Sequence, residues 1–237
     1  SSSGSECARV RADASAVAGS PEEAYQAKPS RYFSGARVDF VARLPIDQRA
    51  SVLEIGCGTG ATGALALEHK RCGRYVGVEL VERAAAQARE VLTDVLVGDV
   101  ERMELPWQPC EFDAVILSEV LEHLIEPWTL LRRLKPYLRP GGLVLASSPN
   151  IAHWRVLREL ALGRFNLADQ GVFDRTHMRW FTPATFEDLF ESCGYRVNWV
   201  GPVTAFGPKA RVLSHYSGGR LDHLLMTQIS IEATRVA

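Results

Sequence analysis

Two glutamates and a histidine follow closely on one another after an apolar run that ends at Ser118. Glu119, Glu122 and His123 have the spacing i, i+3, i+4, which places side chains on one face of a helix. These groups repel or compete unless a divalent cation organises them, and oxygen plus nitrogen ligands suit Mg²⁺, Mn²⁺ or Zn²⁺. The polar loop at 173–179 could supply a fourth ligand. The same residues also fit a simpler chemistry, in which His123 alone is a general base.

A glycine-rich loop indicates a nucleotide-like ligand. An apolar run leads into glycines at every second position, namely Gly56, Gly58 and Gly60. Only glycine lets the backbone turn this tightly and approach a ligand closely. Together with Ala61, the loop also satisfies the dinucleotide fingerprint, and Glu79 follows about 20 residues on, where a ribose-binding acid belongs. At this point both NAD and S-adenosylmethionine (SAM) fit.

Residues further along the chain distinguish the two cofactors. Asp99 ends a third apolar run, residues 112–119 indicate a fourth strand, and residues 138–145 indicate a turn into a fifth. Together these motifs resemble the class I SAM-dependent methyltransferases over roughly residues 31–235. The resemblance implies that the glycine loop holds the methionine part of SAM, that Glu79 accepts both ribose hydroxyls, and that Asp99 reads the adenine amino group. A carboxylate suits a vicinal diol because each of its oxygens can accept one O–H.

Two residues before the first strand complete the implied cofactor site. In similar chains a tyrosine and an arginine at the places of Tyr32 and Arg37 close over SAM, and the arginine pairs with the methionine carboxylate. The alternative is a packing tyrosine and a helix-surface arginine. The predicted cofactor-binding residues are Tyr32, Arg37, Glu54, Gly56, Gly58, Gly60, Glu79, Leu80, Asp99, Val100 and Ser118.

A second resemblance concerns the acidic and histidine residues. Glu-x-x-Glu-His with a distant histidine is similar to the metal site of small-RNA 2′-O-methyltransferases. The same run resembles the O-methyltransferases of ubiquinone synthesis, and the Asp-x-x-His-x-Arg pattern starting at Asp174 resembles methyltransferases of glycan assembly. By position, Glu119, Glu122, His123 and His177 would hold a metal that lowers the pKa of a substrate hydroxyl. The predicted catalytic residues are His123, Glu122 and His177.

These residues need a scaffold in which strand ends meet. Apolar runs predict strands at 51–56, 74–79, 94–98, 112–118, 143–148, 195–201 and 223–234, and periodic segments predict helices at 22–44, 60–70, 81–92, 120–137, 151–163 and 183–193. Such alternation predicts an α/β fold with a Rossmann-like, mostly parallel seven-stranded sheet and helices on both faces. The resemblance implies an antiparallel last strand. Ligands of such sheets bind beyond the carboxyl ends of the strands, where the acids lie.

The chain divides into a tail and one predicted domain. Residues 1–20 are small and polar and indicate a disordered tail or a tag, and residues 21–237 are predicted to form a single methyltransferase domain. Segment 151–181 is basic and aromatic. It is predicted to be a lid or a substrate-binding insertion, with a partner or membrane surface as the alternative.

The composition limits the cellular location and the binding partners that we expect. A net charge of −1 argues against a strongly basic nucleic-acid surface, so RNA is the less favoured partner. Five scattered cysteines without a Cys-x-x-Cys motif indicate reduced thiols in a cytoplasmic protein. No apolar run reaches the roughly 20 residues of a membrane span, and the polar start of the sequence leads us to expect no signal peptide. The sequence does not indicate an oligomeric state.

The predicted reaction is methyl transfer from SAM to a hydroxyl oxygen. A sugar or another polyhydroxylated small molecule is the preferred acceptor, followed by a phenolic quinone precursor and then by RNA ribose. A dehydrogenase remains the alternative enzyme, and a SAM- or nucleotide-binding module without catalysis is the hypothesis from another class. The acidic and histidine residues argue against it, because a sensor would not need them there.

Overall fold

The structure, a computed structural model, describes residue 28 and residues 35–236. Seven strands form one sheet in the order β3-β2-β1-β4-β5-β7-β6. β1 to β5 are parallel, and β7 pairs antiparallel with both β5 and β6. The predicted fold class is therefore confirmed, including the antiparallel last strand. The strands are β1 Ser51–Ile55, β2 Arg74–Glu79, β3 Asp94–Val97, β4 Phe112–Ser118, β5 Leu138–Pro149, β6 Tyr195–Pro202 and β7 Gln228–Arg235.

Helices cover both faces of the sheet. Val52 packs in one hydrophobic cluster with residues of α1, α2 and α3, and its neighbour Leu53 packs in a second cluster with residues of α4 and α6. Because successive side chains of a strand point to opposite faces, the clusters lie on the two sides of the sheet. The helices are α1 Val38–Arg43, α2 Ala61–Glu68, α3 Glu82–Ala88, α4 Pro127–Leu134, α5 Trp154–Ala161, α6 Pro183–Ser192, α7 Pro208–Ser217 and α8 Asp222–Leu225.

The helix predicted at 120–137 is observed only at Pro127–Leu134, and Pro127 explains why the part before it is not α-helical. Proline has no N–H and clashes with the preceding turn, so it is tolerated only in the first turn of a helix. Pro127 accordingly begins α4. Before it, the backbone leaves β4 through Glu119, whose φ is +54°, and forms a single 3₁₀ turn at Leu121–His123. The acidic and histidine residues therefore do not share one helical face.

The segment between β6 and β7 also differs from the prediction. Residues 202–222, for which no helix or strand was predicted, contain α7, and α8 occupies the first residues of the predicted final strand, which begins at Gln228 rather than at 223. The sequence carried the signals: Pro208 is in the first turn of α7, and Gly218 follows it in the left-handed conformation typical of a helix end. By contrast, the start predicted for α6 is confirmed, because Thr182 caps it through a capping box.

The N-terminal predictions are tested only in part. The helix predicted at 22–44 is observed as Val38–Arg43, and residues 35–37 before it are not helical. Tyr32 and the tail at 1–20 lie outside the described residues. None of the helices in the described part of the chain has the length and apolar character needed to cross a membrane.

Candidate functional site

The glycine loop lies where β1 ends, as predicted. Gly56, Gly58 and Gly60 have φ angles of +72°, +55° and +81°, a region that L side chains rarely adopt. Close packing is a second reason for glycine at position 56, where a Cβ would come within 2.7 Å of a Val120 methyl group. The backbone N–H groups of residues 56 and 57 both donate to the Val78 carbonyl, which ties the loop to β2. The loop is thus a rigid, side-chain-poor edge suited to a ligand.

Glu79 joins the end of β2 to this loop. Its carboxylate accepts hydrogen bonds from Gly58 N at 2.8 Å and from Val81 N at 2.9 Å. Burial raises the pKa of Glu79, and the backbone N–H donors offset part of that rise. Each carboxylate oxygen can accept a second hydrogen bond, so the residue retains the capacity to hold a ribose diol.

Glu54 lies inside the fold. It is buried, and it accepts a hydrogen bond at 2.9 Å from Tyr75, whose ring belongs to the core cluster. Burial raises the pKa of Glu54 to about 7, against the lowering effect of the Tyr75 and Thr62 hydroxyls. Of the remaining predicted acids, Asp99 is half-buried and accepts from Glu101 N at 2.9 Å.

Two apolar residues were predicted to touch the cofactor. Leu80 is half-buried at the end of β2. Val100 is buried in the hydrophobic core, and its carbonyl accepts a hydrogen bond from Arg133 at 2.9 Å. The Val100 side chain therefore belongs to the core, and its contact with the cofactor stays a prediction.

Arg37 reaches the ends of β4 and β5. It donates hydrogen bonds to Ser118 Oγ at 2.6 Å and to Ser147 Oγ at 2.5 Å, and its fork pairs with Asp39. Ser147 in turn donates to Glu119 Oε1 at 2.7 Å. The predicted Arg37 and Ser118 are thus brought together, and Ser147 joins them. Sequence reasoning missed Ser147, although a polar residue near the end of an apolar strand is a recognisable signal.

The predicted metal ligands separate into two groups. Glu122, His123 and His177 each offer one ligand atom, and these atoms all lie within 4.8 Å of one another. Glu119 is not in this group, because Ser147 and Gln228 hold its two oxygens. The prediction of Glu119 as a ligand is corrected in this respect: its left-handed φ turns the chain between it and Glu122.

The Glu122 carboxylate has unused bonding capacity. It is only 1% exposed, and among the described residues neither of its oxygens has a hydrogen-bond partner. Burial and the charge of Glu119 raise its pKa well above the usual value. The Glu122 backbone N–H and the Ser148 hydroxyl lie near the carboxylate and offset part of that rise, although neither makes a hydrogen bond of good geometry to it. A buried carboxylate without partners costs free energy, which a bound cation or a donor from a substrate would recover.

Both histidines present one defined nitrogen. His177 Nδ1 lies 3.1 Å from the Val172 carbonyl, and His123 Nδ1 lies 3.2 Å from the Thr176 carbonyl. A carbonyl only accepts, so each of these contacts favours the neutral ring with hydrogen on Nδ1 and the lone pair on Nε2. Burial lowers the pKa of both rings, that of His123 to about 3 with the help of His177. Neutral imidazoles are the form that binds a metal or accepts a proton.

Long-range contacts bring His177 to this place. Met178 N and Arg179 N both donate to the Glu122 carbonyl, at 2.8 and 2.9 Å. Further along, residues 150 and 181 form a bridge between the end of β5 and the end of the loop. Loop 164–181 is therefore fastened across the sheet edge. A buried carboxylate without partners and two neutral imidazoles are a donor set that fits a divalent cation such as Mn²⁺ or Zn²⁺.

Comparison with known proteins identifies the family to which this fold and its glycine loop belong. A family model described as a methyltransferase domain matches residues 25–198. The chain belongs to the SAM-dependent methyltransferases. It is 30% identical over 210 residues to the ubiquinone biosynthesis O-methyltransferase of Chromobacterium violaceum, an alignment that covers 85% of this methyltransferase and 88% of that protein.

Other similarities are shorter or confined to the fold. A trans-aconitate 2-methyltransferase of Azoarcus sp. is 33% identical over 114 residues, which cover 47% of this methyltransferase and 44% of the relative. The chain thus spans about half the length of the first curated relatives it matches. A SAM-dependent methyltransferase from Archaeoglobus fulgidus superposes with a TM-score of 0.61 over 87% of this chain and 97% of its own, at 20% identity. That last likeness concerns the fold, and a fold of this kind hosts many acceptors.

Proposed function

We propose that this methyltransferase transfers the methyl group of SAM to a hydroxyl oxygen of a sugar or another polyhydroxylated small molecule. The observation that carries the proposal is the cluster of Glu122, His123 and His177, in which a buried carboxylate without described partners meets two neutral imidazoles. The cluster follows the end of β4, next to the strand ends that carry the cofactor loop. Ligands of such sheets bind at this edge.

The cofactor site is proposed from the same edge. The glycine loop, Glu79, Asp99 and Arg37 would hold SAM, with Ser118 and Leu80 beside them and with Tyr32 as the proposed cover. SAM supplies a methyl group already activated by a positive sulfur. The protein therefore has two tasks, which are to align the acceptor oxygen with that methyl group and to remove the hydroxyl proton.

We assign the removal of the acceptor hydroxyl proton to the cluster of Glu122, His123 and His177. His123 Nε2 carries a lone pair and can accept the proton of a hydroxyl group. In the alternative with a metal, Glu122, His123 and His177 would hold a divalent cation, and the Nε2 lone pair of His123 would then be a ligand rather than a base. The cation would lower the pKa of the acceptor hydroxyl, so that its proton could pass to water. Three protein ligands leave positions for the acceptor, so neighbouring hydroxyls would bind best. Loop 164–181, within the proposed lid 151–181 of a single domain, would exclude water from the cluster.

A phenolic quinone precursor is the second candidate acceptor. The long alignment with the ubiquinone biosynthesis O-methyltransferase favours it, and a catechol also offers two neighbouring hydroxyls. RNA ribose comes third, because the net charge of −1 supplies no general attraction to phosphate. A non-catalytic SAM-binding module would leave the Glu122 cluster without a purpose. A reducing, cytoplasmic location is part of the proposal, and it is supported by the free thiols of all four described cysteines.

Labelled SAM tests the reaction and the acceptor together. The protein is incubated with methyl-labelled SAM and with three acceptors in parallel, a vicinal polyol or sugar, a catechol and an RNA oligonucleotide, after chelation and after addition of Mn²⁺, Mg²⁺ or Zn²⁺. We expect label on a sugar hydroxyl, loss of the rate on chelation and recovery with a cation. Label on the catechol alone would select the second acceptor, and transfer to carbon or nitrogen would overturn the proposal.

A pair of variants tests the cluster. Glu122→Gln keeps the shape of the side chain and removes the charge, whereas Glu126→Gln makes the same change at an exposed position of the same segment. We expect Glu122→Gln to lower the rate by about 100-fold or more at unchanged SAM affinity. Glu126→Gln should behave as the unaltered protein. Full activity of Glu122→Gln would contradict a role of the cluster.

A further inference from the structure

A buried ion pair fastens loop 164–181 from the N-terminal side. Lys28 Nζ donates to the carboxylate of Asp174 and to the Asp169 carbonyl. The two side chains of the pair are only 8% and 2% exposed. Breaking such a pair leaves an uncompensated buried charge, which costs several kcal/mol. The arrangement therefore holds Asp174 at a fixed place, in its ionised form.

Asp174 uses its other oxygen on Thr176. Oδ1 accepts from Thr176 Oγ1 at 2.7 Å and from Thr176 N at 2.9 Å. A threonine hydroxyl has one hydrogen to give, and an ionised carboxylate can only accept. The hydrogen of the Thr176 hydroxyl is thus committed to Asp174, and on its other side that hydroxyl can only accept.

The other side of Thr176 faces His123. His123 Nδ1 lies 3.1 Å from Thr176 Oγ1 and 3.2 Å from the Thr176 carbonyl. Both oxygens are acceptors in this arrangement, so Nδ1 must be the donor. If the hydroxyl turned its hydrogen toward the ring instead, Nδ1 could carry the lone pair. The hydrogen bond from Thr176 to the Asp174 carboxylate prevents the hydroxyl from turning its hydrogen toward the ring.

We infer that Lys28, Asp174 and Thr176 are positioning residues that fix His123 as the tautomer with hydrogen on Nδ1 and the lone pair on Nε2. Such outer hydrogen bonds set the orientation and basicity of a histidine that binds a metal or a proton. The catalytic value of this tautomer rests on the proposed function of the cluster. The tautomer itself is a property of the free protein and can be measured without acceptor or metal.

His177 provides an internal reference. Its Nδ1 bonds to the Val172 carbonyl, whereas Asp174 and Lys28 act on this ring through their charges, with opposite effects on its pKa. A change in the relay should therefore alter the tautomer of His123 and leave that of His177 as it was. A general loosening of the loop would instead affect both rings.

The experiment is nitrogen-15 NMR of the histidine-labelled full chain at pH 7, where the two rings are neutral because their pKa values are lowered. Asp174→Asn and Lys28→Met interrupt the relay. Asp169→Asn is the matched control, since it makes the same change in the same loop at an exposed side chain, while Lys28 donates to the backbone carbonyl of Asp169, which the substitution keeps. Mn²⁺ and SAM affinities are measured on the same samples.

The expected spectrum of the unaltered protein has His123 as the Nδ1–H form. Asp174→Asn should raise the share of the Nε2–H form on the order of tenfold. It should also weaken Mn²⁺ binding about 10- to 100-fold at unchanged SAM affinity. Lys28→Met should change both quantities in the same direction, and Asp169→Asn should change neither.

Two results would overturn the inference. One is an Nε2–H form of His123 in the unaltered protein, which needs no variant to detect. The other is a His123 tautomer that is the same in Asp174→Asn and Asp169→Asn. Failure of the proposed function would look different: the tautomer would be as inferred, while Glu122→Gln left Mn²⁺ binding and methyl transfer unchanged.

Discussion

Glu54 gives the sharpest test of the electrostatics beneath the glycine loop. Glu54→Gln keeps an oxygen that can accept the Tyr75 hydroxyl and removes the buried charge. The pKa of Glu54 is raised from 4.5 to about 7, mainly by burial. At about 1.4 kcal/mol for each pKa unit, ionisation of this carboxyl in the folded protein costs about 3 kcal/mol relative to the unfolded chain.

The sign follows from where the proton is held. Below pH 4.5 the group is protonated in both states and costs nothing. As the pH rises from 4.5 through about 7, the unfolded chain loses the proton first, so the folded protein loses stability relative to it. Above that range the loss is constant. The glutamine of Glu54→Gln does not titrate, so the difference in free energy of unfolding between the variant and the unaltered protein should grow as the pH rises through this range.

Urea unfolding from pH 4.5 to 8 measures this difference. We expect nearly equal free energies of unfolding at pH 4.5 and an advantage of about 3 kcal/mol for Glu54→Gln at pH 8. Glu90→Gln, at an exposed position, is the control and should show no such trend. A difference that is independent of pH, or a variant less stable than the unaltered protein at pH 8, would refute the assignment of a buried, costly carboxylate.

Three further predictions follow from the loop, the arginine and a helix cap. Gly56→Ala should lower the free energy of unfolding by about 2–4 kcal/mol in urea titrations, because it adds backbone strain at φ +72° and a close contact with Val120. It should also weaken the binding of SAM measured by calorimetry. Arg37→Lys should weaken the binding of SAM about tenfold, since lysine cannot form the two hydrogen bonds to Asp39 that the guanidinium forms. Arg43→Lys is the control, and equal SAM affinities of the two variants would argue against a cofactor role of Arg37. Thr182→Ala should cost about 1 kcal/mol in thermal or urea unfolding, through loss of the cap of α6, at unchanged SAM affinity.

Much of the cofactor side could be predicted from local sequence. Glycines at every second position after an apolar run required a left-handed backbone, and the structure has it at each of them. Acids at the ends of successive apolar runs had to meet at one edge, because the carboxyl ends of parallel strands lie together. The predicted helix start at residue 183 was likewise confirmed, because Thr182 and Pro183 act as a cap within one helical turn.

The acceptor side was harder to predict, for two different reasons. Pro127 was a local signal against the long helix, and the apolar periodicity overrode it in the prediction. The separation of Glu119 from Glu122 had no such signal. It depends on a left-handed residue other than glycine, and on Ser147 and Gln228, which come from distant parts of the chain.

The sequence by itself determined the sheet, the glycine loop at its edge and the side-chain types present after β4, because those depend on residue type and on spacing within single elements. The tertiary structure alone decided which side chains meet. Glu122 and His177 are 55 positions apart in the chain, and Lys28 and Asp174 are separated by 146. Contacts at such separations are set by how loops pack on the finished sheet, and no local pattern encodes the direction in which a loop side chain will point.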